Sequence, residues 1–444
     1  MRKVFILIAA SAALCATAQT TPGKTWTLKE CITYAIENNI TIKQRDNICR
    51  QQEIQLSTEK NSRLPGVDAS VGQNFSFGRG LTSQNTYTNT NTSSTSFNIG
   101  ASLPLFTGMR IHNSIQLSRL NLEAATADLE KARNDISVHV AEAYVQILYA
   151  TEIAAVAHRQ TAIDSMQTER LRTMLDNGKA SEAQLSQQQA AMAQSMLTAT
   201  QAENNLKIAI LTLSQLLELQ SPEGFCVARP DTSGIQNSMH NTLPSPETIY
   251  AEAMAIKPEI HAETLRLKAS DRRIRIARAA LYPQLSLSGG MGTNYYTTSG
   301  YDTDAFGKQI KNNFSQYIGL SLNIPIFNRF ATRNNIRTAK IERENQILQL
   351  TNAQKTLYKE IQQAYYNAIA SKSKYESSMT AERSSLDAFT LTKAKYENGK
   401  AGITEFNEAK NNWLKAKSDM TQAKYEYMYQ NSLIGFYMGK EIEF

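Results

Sequence analysis

Residues 103–108 read LPLFTG and residues 324–329 read IPIFNR; residues 177–180 read NGKA, and residues 398–401 read NGKA again. Pro104/Pro325, Phe106/Phe327 and Tyr144/Tyr365 keep the same offset of 221 positions, and so do the TQA triplets at 200–202 and 421–423. About a hundred residues therefore repeat without a net insertion, the signature of a duplication. A chain of 444 residues could hold two or three globular domains, but the repeat argues for one architecture made of two similar halves.

Within each copy the apolar spacing is helical. Leu129, Ala132, Ile136, Val140, Ala143 and Ile147 step by three or four, and Leu350, Ala353, Leu357, Ile361, Ala364 and Ala368 do the same. So narrow a stripe suits a coiled-coil seam rather than the wider face of a globular helix. From about residue 107 to 176 there is no proline, and Gly108 is the only glycine. Roughly 70 helical residues at ~1.5 Å each give a rod of about 100 Å, too long for a compact domain. Asn177-Gly178 supplies the reversal, since both residues tolerate the left-handed conformation that ends a helix. Residues 180–219 run back, and 401–437 mirror them. Taken alone, these helices fit a structural coiled coil equally well.

Ahead of each long helix the period changes from 3.6 to 2. Short helices over about 27–37 and 41–63 in the first half, and 247–256 and 258–282 in the second, stop at Pro65-Gly66 and at Pro283. Ala69, Val71, Phe75 and Phe77 then alternate with small polar residues, as do Phe97, Ile99, Ala101, Leu103 and Leu105. In the second half Leu285, Leu287 and Met291 alternate likewise, followed by Ile318, Leu320, Leu322, Ile324 and Ile326. These predict four strands of ten to twelve residues, joined by polar tips at 79–94 and 297–313. Two hairpins of a soluble sandwich would alternate too. Strands of ~9–11 residues with one apolar and one polar face also match a transmembrane barrel. Four strands leave open edges that a bilayer does not allow, so closure calls for more than one chain, and three copies give twelve strands.

Residues 1–18 read as a secretory signal: Arg2 and Lys3, an apolar run from Val4 to Leu14, then a small-residue cleavage site at Ala16-Thr17-Ala18. Leu14 is too large for lipidation at Cys15. No other apolar run approaches the ~18–20 residues of a spanning helix. The formal charge of +7 is spread along the chain, with no basic block interleaved with aromatics, which excludes a nucleic-acid partner. Beyond the signal the thiols are Cys31, Cys49 and Cys226; Cys31 and Cys49 could pair, but three do not make a disulfide framework.

No catalytic or metal constellation appears: the five histidines are scattered, and there is no HExxH, CxxC, P-loop or nucleophile elbow. The reading is therefore not an enzyme, with no cofactor. One charged pair stands out by place. In GKAGITEFNEAK, Glu405 and Glu408 lie three apart on one helix face just past the second reversal, while their first-half counterparts are Gln184 and Gln187. In a symmetric trimer this pair gives two rings of three carboxylates, which favour cations at a pore mouth. A solvated helix face has the same pattern.

The order helix–strand–strand–long helix–turn–helix, given twice, resembles the TolC-like outer-membrane efflux proteins. The resemblance is carried by ARAALYPQLSLSGG at 277–290, by the LPLF and IPIF exits into the long helices, and by the turn Tyr396-Glu397-Asn398-Gly399. It covers nearly the whole chain after the signal. It implies a mixed α/β membrane protein: a homotrimer with a 12-stranded transmembrane β-barrel, four strands per chain, continuous with a long α-helical coiled-coil barrel. It implies the outer membrane of a Gram-negative bacterium, with outer-membrane lipid around the barrel and helices crossing the periplasm. The tip turns, Asn177, Gly178 and Lys179 with Tyr396, Asn398, Gly399 and Lys400, would dock a periplasmic adaptor that joins an inner-membrane pump. Glu405 and Glu408 would be acidic gate residues. The sequence departs from the family pattern at Ala401, where some members carry an arginine that latches the closed tip. The implied division is a first repeat at 19–219 (hairpin about 67–106, helical hairpin 107–219), a linker at 220–246, and a second repeat at 247–444 (hairpin about 283–327, helical hairpin 328–437). The expected function is a passive export duct; a secreted trimeric adhesin without a pore is the rival, and a diffusion porin has no use for such long helices.

Overall fold

The computed structural model describes residues 25–81, 85–230 and 243–444. The expected signal segment, including Cys15, and residues 231–242 of the expected linker lie outside the described residues.

Each half begins with a broken helix. α1 (Leu28–Asn38) starts at Thr27, whose side chain forms a reciprocal capping box with Glu30. Asn39 ends it and is buried, donating to the Leu216 carbonyl and accepting from the amide of Thr41, where α2 (Ile40–Asn61) is under way. In the second half α5 (Pro246–Ile256) and α6 (Pro258–Ala279) are separated by Lys257, because Pro258 cannot continue the helical ladder. The long helices match in length across the repeat. α3 (Arg110–Asp176) and α8 (Ala331–Glu397) have 67 residues each; the returning α4 (Glu182–Leu216) and α9 (Ile403–Tyr437) have 35 each. Every α3 seam residue named above is buried, as are Leu357, Ile361, Ala364 and Ala368 of α8. One window of α3 is long and apolar enough to cross a membrane, against the sequence expectation, but 56% of it is buried. Its alanines pack in the seam.

The described residues form two compact units. One comprises 44–131 and 256–357 and holds the sheet; the other comprises the remaining segments and holds the returning helices. In the second unit β1 (Thr25–Trp26) pairs in parallel with β4 (Cys226–Val227). The buried Tyr144 of α3 fastens this pair: its hydroxyl lies 2.6 Å from the Ala228 carbonyl and 3.1 Å from that of Trp26. Burial drives the Tyr144 phenol far above its ordinary range. Cys31, Cys49 and Cys226 are all free, so the Cys31–Cys49 pairing is absent.

The first unit contains one antiparallel sheet in the order β2 (Gly66–Leu81), β3 (Tyr87–Phe106), β5 (Gln284–Thr298), β6 (Ser315–Asn323). The two sequence hairpins therefore meet at β3 and β5, leaving β2 and β6 as its edges. Register keeps like with like. Val71 opposes Phe97, Ile99 opposes both Ala69 and Met291, and Leu287 opposes both Leu103 and Leu320. The other face carries Ser70, Asn98, Ser102, Ser286 and Ser321. The apolar face is uncovered: Val71 is 71% exposed, Phe77 75% and Ile318 81%. Tyr317 lies across Gly290 on the polar face, so closely that a Cβ there would sit 2.9 Å from its ring.

Three details differ from expectation. β2 and β3 run 16 and 20 residues rather than ten to twelve, because much of the polar tip continues the ladder to Leu81–Tyr87. β6 stops at Asn323, paired with Gln284, because the next partner would be Pro283, which has no N–H to give. The second tip contains a short helix, α7 (Phe306–Asn312). Its buried Gln309 accepts from the amide of Tyr296 at 3.0 Å and donates to the Tyr296 carbonyl at 2.9 Å. That side chain satisfies β5 beyond Gly292, where β6 no longer reaches.

Tyr144→Phe takes the hydroxyl donor from the Ala228 carbonyl and leaves the Trp26 carbonyl with the Ala228 amide alone. The expected cost is about 1–2 kcal/mol, read as a lower thermal midpoint by circular dichroism; an unchanged midpoint would show that the hydroxyl fastens nothing.

Candidate functional site: the hairpin tips

Both reversals are built alike. α3 ends with Gly178 at φ 71°, and Lys179 donates its amide to the Met174 carbonyl at 2.7 Å. α8 ends with Gly399 at φ 70°, and Lys400 donates to the Lys395 carbonyl at 2.8 Å. These six-to-one bonds satisfy carbonyls that a helix end leaves bare. Asn177 and Asn398 reach back to the carbonyls of Thr173 and Ala394. Asn177, Gly178, Lys179, Asn398, Gly399 and Lys400 are all exposed. The turns then diverge: Ser181 caps α4 with a capping box to Gln184, whereas Gly402 precedes α9 with no side-chain cap.

Glu405 and Glu408 are exposed on the first turns of α9. Together with Ser384, Ser385, Ala388, Ala409 and Asn412 they line one shallow groove of about 330 Å³ between α8 and α9. Tyr396 is half-buried rather than displayed. Its ring stacks on Phe406 at 4.9 Å, and the Arg170 guanidinium of α3 lies 5.1 Å from its centroid. Burial pushes its phenol above the ordinary range, and Arg170 pulls the other way. Phe389 and Trp413 stack beside it at 5.2 Å, and Leu171, Ile403 and Phe406 complete an apolar cluster drawn from both helical hairpins.

Sequence reasoning missed the polar core next to this cluster. Lys410 of α9 and Asp164 of α3 form an ion pair with both side chains essentially fully buried. Gln188 of α4 donates to Asp164, and Asn407 of α9 donates to Gln188 at 3.0 Å. One carboxylate oxygen of Asp164 and the amide oxygen of Asn407 have no partner. The signal was present in the spacing: Lys410 follows Ile403 and Phe406 and precedes Leu414 on one buried stripe, and Asp164 lies seven residues from Ala157 and from Leu171. Polar groups at seam positions fix register between helices. They tie the second hairpin to the first, although Ala401 carries no latch.

A four-stranded sheet with one exposed apolar face and two long helical hairpins in one chain define an outer-membrane protein with a TolC-like fold. The chain belongs to the outer membrane efflux protein family, whose model matches residues 32–218 and again 249–437, once in each half. Among curated relatives it is 23% identical over 314 residues to the outer membrane efflux protein BepC of Brucella suis, covering 71% of this chain and 63% of that one. It is 26% identical over 307 residues to protein CyaE of Bordetella pertussis, covering 67% and 62%. The matches thus span under two thirds of those two relatives' lengths. Its fold superposes on the CmeC outer membrane channel of Campylobacter jejuni with a TM-score of 0.76, at 20% identity, covering 94% of this chain and 86% of that one.

Lys410→Met strands a buried carboxylate and is expected to cost about 3–5 kcal/mol. Adding Asp164→Leu should restore most of the thermal midpoint. A double variant no more stable than the single one would mean that the two residues do not act as a pair. For Tyr396 the raised phenol pKa sets a window: its contribution is complete below the ordinary tyrosine value near 10 and is lost as pH rises through the raised value. Tyr396→Phe is expected to flatten the stability profile above about pH 10; an unchanged slope would remove Tyr396 from the balance.

Proposed function

We propose that this chain is the outer-membrane channel of a tripartite efflux or export system, a passive duct energised by its partners. The observation that carries the reading is the sheet: four strands, an exposed apolar face, a small polar face, and unpaired edges at β2 and β6. Hydrocarbon tolerates no open edge, so β2 of one copy pairs with β6 of the next. Three copies close a barrel of twelve strands with apolar residues toward lipid and serines, glycines and asparagines toward water. The helical hairpins extend into the periplasm as a tunnel. Exposed turns at 177–179 and 398–400 dock a periplasmic adaptor, which connects to an inner-membrane pump. Relatives named for efflux and for toxin and drug export support this class of activity.

Substrate enters where the two hairpins part. The Arg170–Tyr396 contact and the Lys410–Asp164 pair hold them together within one chain. Opening exchanges these contacts for water or for adaptor side chains, without unfolding either helix pair. The groove containing Glu405 and Glu408 sets the charge at the mouth, and threefold symmetry makes it an acidic ring.

Single-channel recording in a planar bilayer, with divalent cation added from the tip side, tests the reading. Wild-type protein is expected to show small, cation-preferring openings blocked by divalents. Glu405→Ala with Glu408→Ala should lower both the preference and the block; unchanged selectivity would sink the gate assignment. Absence of conductance, even from variants with the tip loosened at Tyr396 and Phe406, would sink the duct.

A further inference from the structure

All four junctions between sheet and helix carry an arginine: Arg63 before β2, Arg110 after β3, Arg278 before β5 and Arg329 after β6. All four are exposed, and none makes an ion pair among the described residues. Arg275 and Arg333 stand one helical turn further on, also exposed. Within residues 59–66, 106–113, 275–284 and 323–333 the only acid is Glu59. Further along the helices Arg266 pairs with Asp128, and Arg343 pairs with Asp271 at 2.6 Å.

The backbone at two junctions holds one of these arginines in a conformation that disfavours it. After β3 the chain takes two successive left-handed residues, Gly108 at φ 60° and Met109 at φ 65°. The same positions after β6 are Arg329 at φ 55° and Phe330 at φ 60°. Glycine is the residue that this conformation favours, and the first repeat uses it. A Cβ at Gly108 would meet the Ala279 carbonyl at 2.6 Å and the Tyr282 side chain at 2.9 Å, so that turn is pressed onto the end of α6. The second repeat holds a charged side chain where glycine would be easier.

The surroundings are apolar. Leu64, Phe106, Tyr282, Phe327 and Phe330 are exposed at the same junctions, with Phe327 and Phe330 edge to face at 5.4 Å. Cations without an ion pair, set among or one turn beyond exposed apolar and aromatic residues, match the boundary of a membrane, where hydrocarbon gives way to phosphate. We propose that these junction arginines form a collar that binds the phosphates of anionic phospholipids in the leaflet facing the helices. This rests on the outer-membrane placement of the sheet. It adds a specific lipid site that the barrel alone does not require, because a neutral headgroup would satisfy the apolar face equally.

Native mass spectrometry of the detergent-extracted full chain tests this, titrating phosphatidylglycerol against phosphatidylcholine with the same acyl chains. Wild-type protein is expected to retain the anionic lipid preferentially. Arg63→Gln/Arg110→Gln/Arg278→Gln/Arg329→Gln should reduce that preference by at least about five-fold, and lysine at the same positions should restore it. Arg329→Gly is the decisive single change: it relieves the left-handed residue, so folding is retained, yet the preference falls. Three results would overturn the collar: equal retention of both lipids by wild-type protein, displacement of phosphatidylglycerol by excess inorganic phosphate, or an unchanged preference in the quadruple variant accompanied by altered ion selectivity. The last would place the arginines on the water side. Failure to insert into phosphatidylcholine vesicles would instead overturn the membrane placement, and the collar with it.

Discussion

A peptide group that reaches hydrocarbon must find its hydrogen-bond partner in protein. Much of this molecule follows from that rule. Among the described residues this sheet has four strands, and their order leaves β2 and β6 open at its two ends. The partners of those edges cannot come from the helices, whose own ladders are complete. Water does not supply them where the proposed barrel turns Val71, Phe75, Ile318 and Leu320 toward lipid. In the proposed barrel those partners come from further copies of the chain, before any interface side chain is considered. Where β5 outruns β6, the same rule is met within the chain by the Gln309 amide.

The helical part solves a different problem. Matching helices of 67 and 35 residues in each half make two near-equal hairpins. An alanine-rich seam lets them lie close with little side chain to interlock. Such seams specify position weakly, and the buried polar residues supply what the apolar ones lack. Lys410, Asp164, Gln188 and Asn407 come from three helices and none has a polar duplicate at the 221-residue offset that makes the same contact. The duplication gives two hairpins of equal size; the later divergence gives them different tasks.

Much of this was legible in the chain itself. Period-two alternation located the strands, period 3.6 located the helices, and the repeat of LPLF as IPIF located the junctions. What escaped was set by partners distant in sequence. Pro325 has a strand counterpart in Pro104, yet β6 ends before it because Pro283 is opposite. FGKQIKN at 306–312 has no cap signal, since Ala305 precedes it, and its helix is defined by what Gln309 touches. Glu405 and Glu408 were visible as a pair, and the groove they share depends on Ser384 and Ser385 from another helix. Tyr396 reads as a surface turn residue until Phe406 and Arg170 are seen around it.

The Gln309 cap also gives the far end of the sheet its outline. The first hairpin continues as regular ladder up to Leu81 and Tyr87, while the second gives up pairing at Gly292 and folds α7 back over its own edge. One half stands tall and polar; the other is cut short and sealed. In the proposed ring of three copies, this makes a crenellated parapet rather than a level brim. The raised merlons of that ring are rich in Thr, Asn and Ser. The sealed embrasures offer no free strand for a foreign chain to extend.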